Sequence, residues 1–305
     1  MVAESDKGLP MKPGIQFIFL LYLLCTGGVA LAAGIACENP DPLRFALIPR
    51  TDLVKQMEKH RPLLQQLERS LGRKISIVQA SSYGSVIEGL IANTSDLASM
   101  GPGSYAIARN RDASITPFAT WTMQAGHFIK QGAYAYNSLL IVRSDSEFKR
   151  IGELRQRRFS LTDPASTSGG IVPRAEFTKL IKQPLEEFAS GVTYSGSHDR
   201  SSETLKKGLV DAAFVASEHL DQAIRDGRIK PEELRVLWES SPIPHDPFVY
   251  RGKLCPELKT KIREAFFTNS PEIKSFLQNL KGEKFVPVTD NEYRELREIL
   301  LLEQK

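Results

Sequence analysis

Residues with metal-binding chemistry are scarce: three cysteines and five histidines in 305 residues, with no Cys-x-x-Cys pair and no His-x-x-x-His spacing. Neither a zinc centre nor any other metal site is expected from such a pattern, and no cofactor is indicated. No basic run carries interleaved aromatics, so nucleic acid is not expected as a partner. The glycine-containing loops lack the Gly-Lys-Ser/Thr of a nucleoside-triphosphate cradle. Gly-x-Ser-x-Gly, the nucleophile elbow of hydrolases, is absent as well. A single long apolar run argues against several membrane spans, while 41% apolar and 25% charged residues are ordinary for a globular chain.

That one run, Gln16 to Cys37, is interrupted by Gly27-Gly28, preceded by Met11-Lys12-Pro13 and has the small residues Ala30-Leu31-Ala32 toward its end. A short basic start, an apolar centre and small residues at the end are the layout of a cleavable secretory signal, so residues 1–37 are expected to be a signal peptide and linker. The charged Glu4-Ser5-Asp6-Lys7 fits that layout poorly, which makes Met11 an alternative start. Cys25 lies inside the signal core. Gly34-Ile35-Ala36-Cys37 loosely resembles a lipidation site without its usual leucine; Cys37 is expected to carry a lipid, to pair with Cys255 in an oxidising compartment, or to remain a thiol. The formal charge of +4, from 40 basic and 36 acidic residues, is compatible with attracting small anions.

Beyond the linker, short apolar runs alternate with stretches of helical period. Strands are predicted at 43–48, 75–78 and 96–100, with helices at 54–71, 83–92 and 104–108 between and after them. Strands separated by helices imply parallel pairing and an open sheet. Residues 134–142 read as a long extended segment. A second alternation follows, with strands at 159–161, 192–194, 212–215 and 236–238 and helices at 170–181, 201–207 and 217–226. The C-terminal part reads as a strand at 248–250 and helices at 256–268, 271–280 and 291–302. Two α/β units are expected, residues 42–136 with 242–305 as lobe one and 137–241 as lobe two; a sequential two-domain arrangement fits the periodicity equally well.

The strongest local signal is Thr162-Asp163-Pro164-Ala165-Ser166-Thr167-Ser168-Gly169-Gly170, between a strand and a helix. Asp-Pro turns the chain, the glycines admit close backbone approach, and three hydroxyls lie where a helix start presents unpaired N–H groups. This is the pattern of an anion site, though it is equally that of an ordinary Ser/Thr cap. Tyr194-Ser195-Gly196-Ser197-His198-Asp199-Arg200-Ser201 repeats the strand-to-helix setting; His198 is suited to donating to an oxyanion, to acting as a base, or to bonding its own loop. Tyr83 and Tyr105 follow strands of the first unit, at the carboxyl edge where open sheets bind ligands. Glu218 and Asp246 are acids near the presumed cleft, and they would repel an anion unless the ligand also carries an amine.

Taken in order, Asp163 to Gly169, Ser195 to Asp199, Gly208-Leu209-Val210-Asp211-Ala212-Ala213 and Ser241-Pro242-Ile243-Pro244-His245-Asp246-Pro247 resemble the phosphate/phosphite/phosphonate substrate-binding family of ABC transporters. The likeness runs from about Leu43 to at least Thr268. It implies a type II periplasmic-binding-protein-like α/β fold, two lobes joined by a two-strand hinge. It also implies a monomeric periplasmic protein, not an enzyme, that hands a small phosphorus oxyanion to ABC permease membrane subunits. By the same resemblance Ser166, Thr167, Ser168 and His198 bind the phosphonyl oxygens, Tyr83 and Tyr105 close from lobe one, and Glu218 and Asp246 match the residues that take an amine. Residues 118–131 have little counterpart in the family. A sensor-coupled binding protein, or an enzyme of the same fold, are the alternative readings.

Overall fold

The computed structural model describes residues 37–130 and 132–303; the expected signal segment, Cys37 apart, lies outside them. The first sheet begins with β1 (Leu43–Leu47), followed by α1 (Leu53–Leu71), β2 (Ile75–Val78), α2 (Tyr83–Ile91), β3 (Leu97–Ser99), α3 (Pro102–Arg111) and β4 (Thr116–Met123). The chain then runs through β5 (Ala135–Tyr136) into β6 (Ser138–Arg143) and β7 (Arg158–Leu161). After two wide helical turns at Thr167–Ile171 and Pro173–Phe177 come α4 (Thr178–Ile181), α5 (Leu185–Phe188), β8 (Gly191–Tyr194), α6 (His198–Lys206), β9 (Ala212–Ala216), α7 (Ser217–Arg225) and β10 (Leu234–Glu239). The remaining elements are β11 (Ile243–Pro244), β12 (Phe248–Tyr250), α8 (Pro256–Phe267), α9 (Pro271–Asn279), β13 (Gly282–Pro287) and α10 (Arg294–Glu303).

Pairing sorts the strands into a sheet ordered β13-β4-β12-β3-β1-β2 and another ordered β10-β6-β9-β7-β8, with β5 and β11 forming a separate two-stranded ribbon. β1 pairs parallel with β2 and β3, and β7 parallel with β8 and β9. β12 enters the first sheet antiparallel to both β3 and β4. The fold is thus two α/β lobes, each with a mixed sheet, linked by an antiparallel ribbon that aligns Ile243 with Tyr136.

Local chemistry explains most element ends. Asp52 caps α1 by accepting from the N–H groups of Val54 and Lys55, and Gly72 ends it in the left-handed region at φ 62°, its N–H returning to the Glu68 carbonyl. Ser82 and Ser85 form a reciprocal capping box on α2. β9 is buried along its whole length, as an apolar run inside a covered sheet should be. In the first lobe Phe248 contacts the rings of Phe45, Trp121, Phe266 and Phe285, so β12 anchors the core between the sheet and α8.

Several expected elements change. The long extended segment is broken at Asn137, whose side chain donates to the Ser240 carbonyl between β5 and β6. α6 starts at His198, three residues early, because Ser197 caps it by accepting from the Arg200 N–H. The helix expected from Gly170 begins at Thr167 in wide turns, with the Ile171 N–H reaching back to the Ser166 carbonyl. β4 and β13 were not anticipated. Cys37 and Cys255 form a disulfide across 218 residues of chain. A disulfide-bonded sulfur is not open to lipid attachment, so of the three outcomes expected for Cys37 the structure has the pairing with Cys255. Among the described residues no helix is long and apolar enough to cross a membrane.

Candidate anion-binding site

The turn after β7 is folded tightly on itself. The Asp163 carboxylate accepts from the Ala165 N–H at 2.8 Å, the Asp163 carbonyl from the Ser166 N–H at 3.0 Å, and Ser166 Oγ from the Gly169 N–H at 3.2 Å. A Cβ on Gly170 would stand 2.3 Å from the Asp163 carbonyl oxygen, which is backbone and cannot yield; this position requires glycine. The fold-back buries Ser166, Thr167 and Ser168 almost completely. Ser168 Oγ is buried with no hydrogen-bond partner among the described residues. Unpartnered buried hydroxyls are rare in native proteins, and the Tyr136 side chain stands beside this one.

The opposite lobe presents helix starts to this turn. The Gly103 N–H, in the first turn of α3, donates to Thr167 Oγ1 at 2.8 Å, and Ser104 Oγ donates to the Ala165 carbonyl at 2.7 Å. At the start of α2 the Tyr83 N–H faces the Asp163 carboxylate at 3.4 Å. With α6 starting at His198, three helix N-termini converge on one spot, each adding partial positive charge. A small cavity there is lined by Tyr83, Tyr136, Ser166, Thr167 and His198, and beyond them by Arg50, Glu218, His219 and Asp246.

The imidazole and the two phenols facing the cavity are set to donate. The Ala216 N–H donates to His198 Nδ1 at 3.2 Å, which fixes Nδ1 as the acceptor and leaves the proton of the neutral ring on Nε2. Nε2 faces Ser166 Oγ at 3.5 Å. Burial, then the neighbouring His219 and Arg50, holds the His198 pKa well below the ordinary histidine value. Burial raises the Tyr83 and Tyr136 hydroxyls above the usual phenol range, so both remain protonated donors at neutral pH; Tyr83 lies beside Ser166, and Tyr136 beside Ser168 and Thr167.

Of the eight residues singled out in the sequence, six line the cavity, Ser168 is buried in the turn beside Tyr136, and Tyr105 lies elsewhere. Its hydroxyl donates to Asp290 at 2.6 Å and its ring packs edge-on against Tyr293, on the far side of α3 from the turn. Tyr136 stands in the cavity from the ribbon in its place, and the sequence carried no motif to mark it. Arg50 and His219 were also unforeseen. Arg50 lies just past the carboxyl end of β1, the edge at which α/β sheets bind ligands, and that position was the one available signal. Glu218 and Asp246 are not free acids. Arg50 Nη1 donates to Glu218 Oε1 at 3.1 Å, Arg50 Nη2 contacts the Asp246 carboxylate, and His245 Nε2 contacts Glu218 Oε2. Burial raises the Glu218 pKa, but His245 and Arg50 more than offset this and hold it far below the usual carboxylate range.

Residues 118–131, unmatched in the sequence, supply β4 and a loop whose His127, Phe128 and Ile129 N–H groups all donate to the Asp221 carboxylate of α7. That contact ties the two lobes beside the cleft.

The histidines set an acid limit on stability. His60 is buried and His219 partly buried, and both are pushed down from 6.5 to about 4, desolvation being the main cause. A depressed histidine means that the unfolded chain takes up protons first, so stability is complete above pH 6.5 and declines as pH falls toward 4. Each fully developed difference is worth on the order of 3 kcal/mol. Melting temperature is therefore expected to fall between pH 7 and 5, and to fall less when His60 is replaced by glutamine. A melting temperature independent of pH over that range would contradict the neutral histidines.

Residues 45–293 match the family described as ABC transporter, phosphonate, periplasmic substrate-binding protein. The chain is 29% identical over 301 residues to the phosphate-import protein PhnD of Mycolicibacterium smegmatis, covering 92% of each sequence. It is 29% identical over 280 residues to the phosphonates-binding periplasmic protein of Escherichia coli, covering 90% of this chain and 80% of that one. Among solved structures, a binding-protein component of an ABC phosphonate transporter from Pseudomonas aeruginosa superposes with a TM-score of 0.78 at 25% identity, covering 88% of this chain and 87% of the other. Fold, ordered motifs and family match agree, and the chain belongs to the periplasmic substrate-binding proteins of phosphonate ABC transporters.

Proposed function

We propose that this protein is exported, captures a phosphonate-type oxyanion between its lobes, and delivers it to an ABC permease. The observation that carries the reading is a small cavity lined by Tyr83, Tyr136 and His198, each with a proton to donate, with the buried Ser168 hydroxyl beside Tyr136. The Ser166 and Thr167 hydroxyls add two more donors. Hydrogen bonds to a charged group contribute about 1.5–3 kcal/mol each, enough in sum for micromolar or tighter affinity after the cost of ordering.

Both lobes supply donors, so binding and closure are coupled, and the β5–β11 ribbon is the natural hinge. The protein works as a monomer in the periplasm, where an oxidising environment maintains the Cys37–Cys255 disulfide. It is a carrier and not an enzyme: the ligand leaves as it entered. Relatives named for phosphate and for phosphonates share only the phosphorus oxyanion, which is the part these donors address.

Calorimetry on the purified mature chain with phosphate, phosphite, methylphosphonate and 2-aminoethylphosphonate tests this. Saturable binding to at least one of them is expected, with the ligand recovered unchanged. Binding to none would overturn the reading.

A further inference from the structure

One buried and one partly buried carboxylate in a site built from donors pose a charge problem, since Asp246 and Glu218 would repel the anion that the donors attract. One guanidinium answers it. Arg50, with its side chain only 18% exposed, reaches Glu218 with one terminal nitrogen and Asp246 with the other. The planar, permanently charged fork of arginine suits it to span two acids at once. We propose that Arg50 is the resident cation of the site, occupying the place a ligand's ammonium would otherwise take, and that it restricts the protein to phosphorus oxyanions without a cationic substituent. This rests on the function proposed above and narrows its substrate class to phosphate, phosphite or a simple alkylphosphonate.

An ammonium entering beside Glu218 and Asp246 must either displace the guanidinium from both acids or stand next to it as a like charge in a poorly solvated space. Neither route is favourable. Arg50 also separates two spaces. It lines the small cavity that holds Tyr83, Tyr136 and His198, and it lines a larger one, about 90 Å³, whose walls include Lys59, Trp121 and Lys281. Because Arg50 lines both, a substituent passing from the small cavity into the larger space would have to pass the guanidinium. Lys59 and Lys281 beyond it make that space no more hospitable to a cation.

Calorimetry with the same four ligands, on the wild-type mature chain and on Arg50→Ala, decides the matter. The wild type is expected to bind its best ligand among phosphate, phosphite and methylphosphonate at least about 100-fold more tightly than 2-aminoethylphosphonate. Arg50→Ala bares Asp246 and leaves Glu218 with only its His245 contact, and is expected to lose affinity for the plain anions while closing or reversing the gap to the amine-bearing ligand. Arg50→Lys retains a cation and is expected to keep the wild-type ranking. Wild-type affinity for 2-aminoethylphosphonate equal to or above that for the plain anions would overturn the inference while leaving oxyanion capture intact. An Arg50→Ala ranking identical to wild type would overturn it too. Binding of no ligand by the wild type strikes instead at the proposed function, and if Arg50→Ala fails to fold, the wild-type and Arg50→Lys rankings still decide.

Discussion

Replacing Ser166 and Ser168 together by alanine is expected to weaken oxyanion binding by about 10²–10⁴-fold, because two hydrogen bonds to a charged group are lost at about 1.5–3 kcal/mol each. The single variants separate binding from folding. Ser168 Oγ has no partner within the described residues, so Ser168→Ala removes an unsatisfied buried group and should leave the melting temperature unchanged or slightly raised while affinity drops. Ser166 Oγ accepts from the Gly169 N–H at the start of the wide turns, so Ser166→Ala should weaken binding and also cost about 1 kcal/mol of stability as a lost cap. Titration calorimetry paired with thermal unfolding reads both quantities. Full affinity in the double variant would mean that the turn does not hold the ligand.

Asp96→Ala is expected to cost about 3–5 kcal/mol of folding stability, the penalty for leaving a buried charge without its partner. Asp96 sits at the start of β3 and is fully buried, as is Arg251. It accepts from the Arg44 N–H at 2.8 Å, from the Arg44 guanidinium at 2.9 and 2.8 Å, and from Arg251 Nε at 2.8 Å. Burial raises the Asp96 pKa, but the bonds from Arg44 and Arg251 outweigh it and the group stays charged. Without it Arg251 retains Glu38 as its acidic contact, through Nη2 at 2.6 Å, and that carboxylate is half-exposed. Melting temperature should drop by about 6–20 °C, with oxyanion affinity at permissive temperature unchanged, since this network lies outside the cavity. A drop of under about 2 °C, roughly the effect of a surface change, would show that the network contributes little.

Much of the fold was legible because it is written in local chemistry. Asp52 and Gly72 bound α1 by a cap and a left-handed stop, and β9 is apolar throughout because both its faces are covered. The strands that escaped reading did so for a physical reason. β4, Thr-Pro-Phe-Ala-Thr-Trp-Thr-Met, is buried from Pro117 to Met123 yet mixes threonines with apolar residues and shows no clean alternation. β13 pairs only with β4, in a register that slips between Gly282 and Phe285, so it is defined by its partner and not by its own pattern. Tyr105 illustrates the same limit on a helix. Its position after a strand suggested the cleft, but the face of α3 it occupies turns it toward Tyr293 and Asp290.

By itself the sequence determined the turn that follows β7, because every requirement of that turn is local: an Asp-Pro bend, three hydroxyls at a helix start, and a glycine at 170 where the carbonyl of Asp163 leaves no room for a Cβ. Only the tertiary structure decided what surrounds it. Arg50 and Glu218 are 168 residues apart, and Cys37 and Cys255 are 218 apart. A lone arginine or tyrosine has no periodicity or motif to announce a partner at that distance. Whether an acid in the cleft faces a ligand's ammonium or an internal guanidinium depends on where β1 and α7 meet, and only the packing of the two lobes fixes that.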